Sequence, residues 1–224
     1  MRSLYSQLNQ DLWVIEVLNE KKNGTFVDVG AFDGINLSNT YILEKDFEWN
    51  GICIEANSKT FQKLKDVRKC ICVNEMLSDS CGDIIRLQHM GELSYGNRNV
   101  FNIDVEEMKK NHTTLDTSIE DCKTNTLMNV LDKNNIPNII DYLSIDVEGM
   151  EYDILRLFDF NKYHINTLTV EHNAAHIGMD YRNKLCDLLT KNGMKFVKGN
   201  DNVQNWDKNM YYIEDFYVNN KIII

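Results

Sequence analysis

The sequence predicts an α/β chain built on a doubly wound, mostly parallel sheet with an antiparallel hairpin at one edge. Two observations carry that expectation. Short β-branched runs alternate with stretches of helical period along most of the chain, and the last two runs have no helix between them. A length of 224 residues suits one such domain, since single α/β domains often run to roughly 200–250 residues. Residues 1–224 are therefore read as one domain, whole or part of a longer chain, with an irregular insertion at about 89–121.

The elements follow in order. Leu4, Leu8, Leu12, Ile15 and Leu18 recur at helical spacing, with Gly24 as the stop. TFVDVG (25–30) is a short buried strand, and a helix is expected from Ser38 to about Asp46, with Ser38 or Asn39 as its cap. GICIEA (51–56) reads as the second strand, 58–67 as a helix and KCICVNEML (69–77) as the third strand. DIIRLQ (83–88) begins a hairpin-like piece, and the polar stretch 89–121 has no clear period. Leu127, Val130 and Leu131 mark a helix closed near Pro137, the only proline. IIDYLSID (139–146), a helix over 151–158, INTLTVEH (165–172) and a helix over 180–192 continue the alternation. MKFVKG (194–199) and MYYIEDFYV (210–218) finish as two strands joined by a polar loop. Tyr211, Tyr212, Phe216 and Tyr217 alternate as core or edge positions of the last strand.

Composition narrows the function. With 43% hydrophobic and 26% charged residues the chain is globular rather than disordered. Acids outnumber bases 34 to 24, a net charge of −10, which argues against a nucleic-acid binder that tracks phosphates. No apolar run approaches a membrane span, and MRSLYSQLNQDLW is too polar for a signal peptide, so a cytoplasmic location is expected. The six cysteines show no C-x-x-C or zinc spacing and read as reduced structural thiols. The charge runs Lys65–Lys69 and Lys109-Lys110 read as solvated faces.

Ligands of such sheets bind at the carboxyl ends of the strands, and four expected strand ends carry acids: Asp28 with Asp33, Glu55, Asp146 and Glu171. A single acid there is usually a helix cap; four on one edge point to a site. The first loop, Asp28-Val-Gly30-Ala31-Phe-Asp33-Gly34, lacks the G-x-G-x-x-G of a dinucleotide site. Its acids would repel a pyrophosphate and attract an ammonium or sulfonium group. Glu55, about 25 residues on, stands where a ribose diol would be held. Together these features fit S-adenosylmethionine (SAM) better than NAD. His172-Asn-Ala-Ala-His176 lacks the glutamate of a zinc protease motif.

FVDVGAFDG (26–34), LSNTYILEK (37–45), WNGICIEAN (49–57), LSD (77–79), DYLSIDVEGMEYDIL (141–155) and LTVEHN (168–173) together resemble the FkbM family of SAM-dependent methyltransferases. SQLNQDLWV (6–14) is similar to the helix that precedes the first strand in one branch of that family. The resemblance implies a Rossmann-like class I methyltransferase fold and O-methylation, often of sugar hydroxyls on glycans or glycosylated products. Matched residue by residue, it implies that Asp28, Gly30, Ala31, Asp33 and Gly34 form the methionine-binding loop, lined on its far side by Ser38, Asn39 and Thr40. It implies that Glu55 holds the ribose, that Ala56, Ser78 and Asp79 meet the adenine, and that Asp146 faces the reacting centre. Glu148 and Glu151 are assigned to anchoring the next helix.

A sugar hydroxyl is a poor nucleophile and needs a base or a metal. Asp146 and His172 are the expected catalytic residues, and Asp146, Glu171 and His172 the expected ligands of a divalent cation, Mg²⁺ or Mn²⁺. The insertion carries Tyr95, Arg98 and His112, side chains able to meet a sugar, and is expected to set acceptor choice. The rival readings are a non-sugar methyl acceptor on the same fold, and a non-catalytic SAM-binding module of a glycan-processing assembly.

Overall fold

The computed structural model describes residues 5–91, 94–96, 116–199 and 213–222. Arg98, His112, Lys109, Lys110, Tyr211, Tyr212 and most of the expected insertion lie outside them. Helix α1 (Gln10–Val17) leads into β1 (Thr25–Val29), α2 (Tyr41–Phe47), β2 (Asn50–Ile54), α3 (Ser58–Val67) and β3 (Ile71–Val73). Three short strands, β4 (Met76–Leu77), β5 (Ile84–Gln88) and β6 (Ile119–Asn125), come next. Then come α4 (Leu127–Lys133), β7 (Ile139–Ile145), α5 (Glu151–Leu155) and β8 (His164–Glu171). The described chain ends through α6 (Ala174–Ile177), α7 (Met179–Lys191), β9 (Met194–Gly199) and β10 (Glu214–Asn219).

Seven strands form the main sheet in the order β3-β2-β1-β7-β8-β10-β9. All neighbours run parallel as far as β8, and β10 is antiparallel to both β8 and β9. This is the expected doubly wound sheet with its antiparallel edge. Strand residues alternate between two apolar layers. Val27, Val29, Ile52, Ile54, Leu143 and Ile145 pack on one face with α4, α5 and α7. Phe26, Tyr142 and Phe216 pack on the other, with Trp13 and Val14 of α1, Ile42 and Leu43 of α2 and Leu64 of α3. Each such side chain, fully buried, contributes about 1.5–3 kcal/mol relative to exposure. Phe216 and Tyr217, expected in core or edge positions, are buried on opposite faces.

The structure corrects the sequence reading at several places. The first helix starts at Gln10 rather than near Leu4. Ahead of it the chain folds back, because the Asp11 carboxylate accepts the Tyr5 and Ser6 N–H groups (3.3 and 3.5 Å) and the Ser6 hydroxyl (2.5 Å). Residues 69–77 do not make one strand. Only 71–73 joins β2, while Met76–Leu77 turns away to pair with β6 in a second sheet of order β4-β6-β5. Strand β6, antiparallel to β5, takes up the end of what read as irregular insertion. Arg68, expected in a solvated run, has a side chain with no exposure. The cysteines are all free, as expected; the nearest pair, Cys53 and Cys70, has sulfurs 3.6 Å apart.

The strand order reverses direction at β1, between β2 and β7. There Gly30, at φ +86°, leaves β1 so close to β7 that a Cβ would sit 1.7 Å from the Asp146 carbonyl oxygen. Gly82 has a similar φ, +95°, but only the end of Lys123 comes within 3.7 Å of its virtual Cβ. Gly82→Ala should therefore cost about 1–3 kcal/mol, the usual strain of a side chain at positive φ. Gly30→Ala should cost more than about 4 kcal/mol, because two backbones must separate as well. Urea unfolding of the two variants side by side checks the ordering, and equal losses would refute the crowding account.

Candidate active site

One cleft opens at the carboxyl ends of β1, β2 and β7, on the switch point. Its floor is the turn Gly30-Ala31-Phe32, its sides are Glu55-Ala56 and Asp146-Val147-Glu148, and Ser38 and Asn39 line it ahead of α2. Met76 and Leu77 of β4, with Gly91, Ser94 and Gly96 beyond β5, close the remaining wall.

At the floor, Asp28 is buried and accepts a hydrogen bond from the Thr40 hydroxyl at 2.5 Å. Burial raises its pKa, and Arg68 and Thr40 pull it back. The Arg68 guanidinium donates to Glu44 (3.1 Å) and to the Thr40 hydroxyl (3.0 Å), and stacks over the Phe26 and Tyr41 rings. Beside Asp28, Asn39 donates through Nδ2 to the Ser144 hydroxyl at 2.9 Å. Its Oδ1 is buried with no hydrogen-bond partner.

Glu55 closes the β2 side. One carboxylate oxygen accepts the Phe32 N–H at 2.9 Å and the other the Asn57 N–H at 2.8 Å. Burial nevertheless pushes its pKa up to about 7. Asn57 in turn caps α3, its side-chain oxygen accepting the Lys59 and Thr60 N–H groups.

The β7–β8 side holds a carboxylate cluster. Asp146, Glu148 and Glu171 present oxygens that all lie within 4.8 Å of one another. Glu171 Oε2 is buried without a hydrogen-bond partner. Burial, and then the neighbouring Asp146 charge, push the Glu171 pKa well up; burial raises Asp146 too. Carboxyls this close cannot all ionise in the free protein, so the cluster retains a proton.

Of the expected site residues, Asp28, Gly30, Ala31, Ser38, Asn39, Glu55, Ala56 and Asp146 line the cleft. The others do not. Thr40 stands behind Asp28 as its hydrogen-bond donor, and Gly34 backs onto Leu64 and Arg68. Asp33 is spent on its own loop, accepting the Ile35 and Asn36 N–H groups (3.1 and 2.9 Å) and the Asn36 amide. Ser78 donates to Asp79, and Asp79 pairs with Arg156; the turn to β4 brings Met76 and Leu77 to the cleft in their place.

His172 is the main correction. Its Nδ1 accepts the Ala174 N–H at 3.1 Å, which leaves the proton on Nε2, and Nε2 faces Asp215 at 3.5 Å rather than the cluster. Arg182 grips the same Asp215 through both carboxylate oxygens. His172 therefore shapes the turn after β8, and Glu148 takes the place expected for it beside Asp146 and Glu171. Glu148 read as a helix anchor because nothing in the sequence marks its positive φ of 56°. Glu151 is the anchor that was expected, accepting the Val147 and Gly149 N–H groups and the Tyr181 hydroxyl. A further buried acid went unnoticed: Glu214 stands opposite Glu171 in register, accepts a hydrogen bond from Gln10, and is pushed up to about 8 by burial.

Among the described residues, no helix is long and apolar enough to cross a membrane. A search of curated proteins finds no matching relative. Among solved structures, the chain resembles a METTL16 methyltransferase domain at 12% identity and TM-score 0.52, covering 98% of this chain and 70% of that one. It also matches a methyltransferase FkbM from Methylobacillus flagellatus KT at 12% identity and TM-score 0.49, over 88% of this chain and 43% of that one. The former likeness shows the class I methyltransferase fold. The model of the methyltransferase FkbM domain matches residues 28–196, well over half of the chain, and so the chain belongs to the FkbM family of SAM-dependent methyltransferases.

Proposed function

We propose that the chain transfers the methyl group of SAM to a hydroxyl of a carbohydrate or glycan. The observation that supports this most is the division of the cleft: Glu55, held by two backbone N–H groups, on the β2 side, and the Asp146–Glu148–Glu171 cluster on the β7–β8 side. The residues present fit SAM. Gly30 and Ala31 line the β1 turn of the cleft, and the unpartnered Asn39 Oδ1 and the Asp28 carboxylate can receive an ammonium group. Glu55 would hold the ribose hydroxyls. Bound SAM supplies the methyl group and a good leaving group.

The rest falls to this chain's own side chains. Their first task is alignment of the acceptor oxygen, since a held geometry replaces a bimolecular encounter. Their second is to take the hydroxyl proton. Asp146, lining the cleft, is placed to accept it, with Glu171 and Glu148 sharing the charge. The sugar acceptor rests on the family resemblance. Incubation with methyl-labelled SAM and a panel of glycans, amines and lipid head groups tests it, the expected product being an O-methyl sugar. Label on a non-sugar acceptor alone, or binding of SAM with no transfer to any class, would replace this reading by one of its rivals.

A divalent cation, Mg²⁺ or Mn²⁺, also fits the cluster. The donors are all oxygens, and Glu171 Oε2 is buried with nothing to bond. Such an ion would lower the pKa of the acceptor hydroxyl. With His172 turned away, the ligands are Asp146, Glu148 and Glu171. Calorimetry should show Mn²⁺ binding lost in Glu171→Gln and kept in His172→Asn, and chelation with Mg²⁺ or Mn²⁺ add-back should remove and restore turnover. Full activity after chelation would reject the ion and leave Asp146 as a direct base.

Glu55 sets a pH dependence. Two ribose hydroxyls donate best to its ionised form, which the free protein reaches only above about 7. Affinity for S-adenosylhomocysteine should therefore rise from pH 6 to 8, with proton release, while Glu55→Gln flattens the profile and weakens binding by about 1.5–3 kcal/mol. Stability of the free chain should run the opposite way. An unfolded Glu55 ionises near 4.5 and the folded one near 7, so the native state holds the extra proton and loses stability as pH rises through that window. Calorimetry in buffers of different ionisation enthalpy checks the proton count; a pH-independent affinity would remove Glu55 from the ribose.

A further inference from the structure

Outside the cleft, His89 is enclosed between two carboxylates. The ring is 2% exposed. Its Nδ1 lies 3.2 Å from Asp116 Oδ2 and its Nε2 3.0 Å from Glu120 Oε2. Each ring nitrogen thus has a carboxylate within hydrogen-bond reach, and the Ser118 hydroxyl also lies 3.4 Å from Nδ1. Each carboxylate also reaches α3. The Ser58 hydroxyl and N–H donate to the same Glu120 oxygen at 2.9 and 3.2 Å, and Lys59 donates to Asp116 at 2.6 Å. The ring therefore ties the described ends of the insertion, 89–91 with 94–96 and 116–121, to the first turn of α3.

That turn begins directly after the cofactor-binding end of β2. Asn57, whose N–H bonds Glu55, also donates through its side chain to the Ser94 hydroxyl at 3.4 Å. The Ser94 hydroxyl accepts the Met90 N–H and donates to the Gly91 carbonyl. Gly91, Ser94 and Gly96 line the same cleft as Glu55 and Ala56. We propose that His89 is a positioning residue for the cofactor: bridging Asp116 and Glu120, it holds this part of the insertion as the wall of the adenosine end of the cleft. The segment expected to choose the acceptor thus serves the cofactor at its two described ends.

The inference rests on the reading of the cleft as a SAM site, and one experiment separates the two. Affinity for S-adenosylhomocysteine is measured by calorimetry for the unmodified chain, His89→Gln, Glu120→Gln and the double variant, alongside the unfolding midpoint of each free protein. Each single variant should weaken binding about tenfold, and the double variant no further, since both cut one bridge. Should one variant fail to fold, the other carries the same test. An unmodified chain that does not bind overturns the SAM reading and this inference with it. Unchanged affinity in the variants, or losses that simply add, overturns the inference alone, and a lowered midpoint with unchanged affinity assigns His89 to stability only.

Discussion

The absence of a side chain at Gly30 is the constraint on which the site depends. Where a Cβ would stand lies the carbonyl oxygen of Asp146. The turn after β1 can thus lie against the turn after β7, and the cleft opens there, where the strand order reverses. The same contact sets the reach of the acids. Asp28 and Ser144 are partners in register, so Asp146, two residues beyond Ser144, emerges above Asp28 on the same face of the sheet. Glu171 follows on the next strand, with Glu214 opposite it. One close approach of two backbones thus gathers carboxylates from four strands.

So many buried acids need an account of their charge. Burial alone disfavours ionisation, and it raises Asp28, Glu55, Asp146, Glu171 and Glu214 together. The buried guanidinium of Arg68 offsets this for Asp28, and Arg182 holds Asp215 behind His172. Asp146 and Glu171 instead adjoin each other and Glu148, and burial keeps both of their pKa values raised. The free protein is consequently primed for positive charge at that end of the cleft. A sulfonium, an ammonium or a divalent ion entering there would replace protons already held, without burying new charge of one sign.

The sequence carried the main sheet because each of its strands is short, β-branched and bounded by a polar turn, a pattern with one economical topology. TFVDVG and IIDYLSID form strands as expected, they lie side by side, and the acids at their ends converge. What it did not carry depends on turns whose geometry is decided by tertiary contacts. Strand β6 alternates only weakly, with Cys122 and Thr124 inward, and its pairing with β5 spans the whole insertion. The break after Val73 sends Asp79 to Arg156 and brings Met76 to the cleft. The reversal at Glu148-Gly149, both at positive φ, turns a presumed helix anchor into a member of the cluster. The rotation of His172 follows from a single bond to the Ala174 N–H, which no spacing rule reveals.

The two ends of the cleft are built differently, and the difference follows from what each must hold. Glu55 is fixed by backbone N–H groups, from Phe32 and Asn57, so its position is tied to the strand and helix ends themselves. A ligand common to many acceptors is well served by such a grip, because it needs the same geometry in every turnover. The opposite end relies on side chains from separate strands and on the loop after β8, where His172 faces Asp215 of β10 and Asn173 donates to Glu148. Between them the small sheet β4-β6-β5 leaves the main sheet after β3 and lends its connections to the wall. The wall lent by that sheet is tied to the Glu55 end through Asn57 and Ser94, whereas the loop after β8 adjoins the Asp146 end. On the proposed reading, cofactor and acceptor would meet within one cleft at the Asp146 carboxylate.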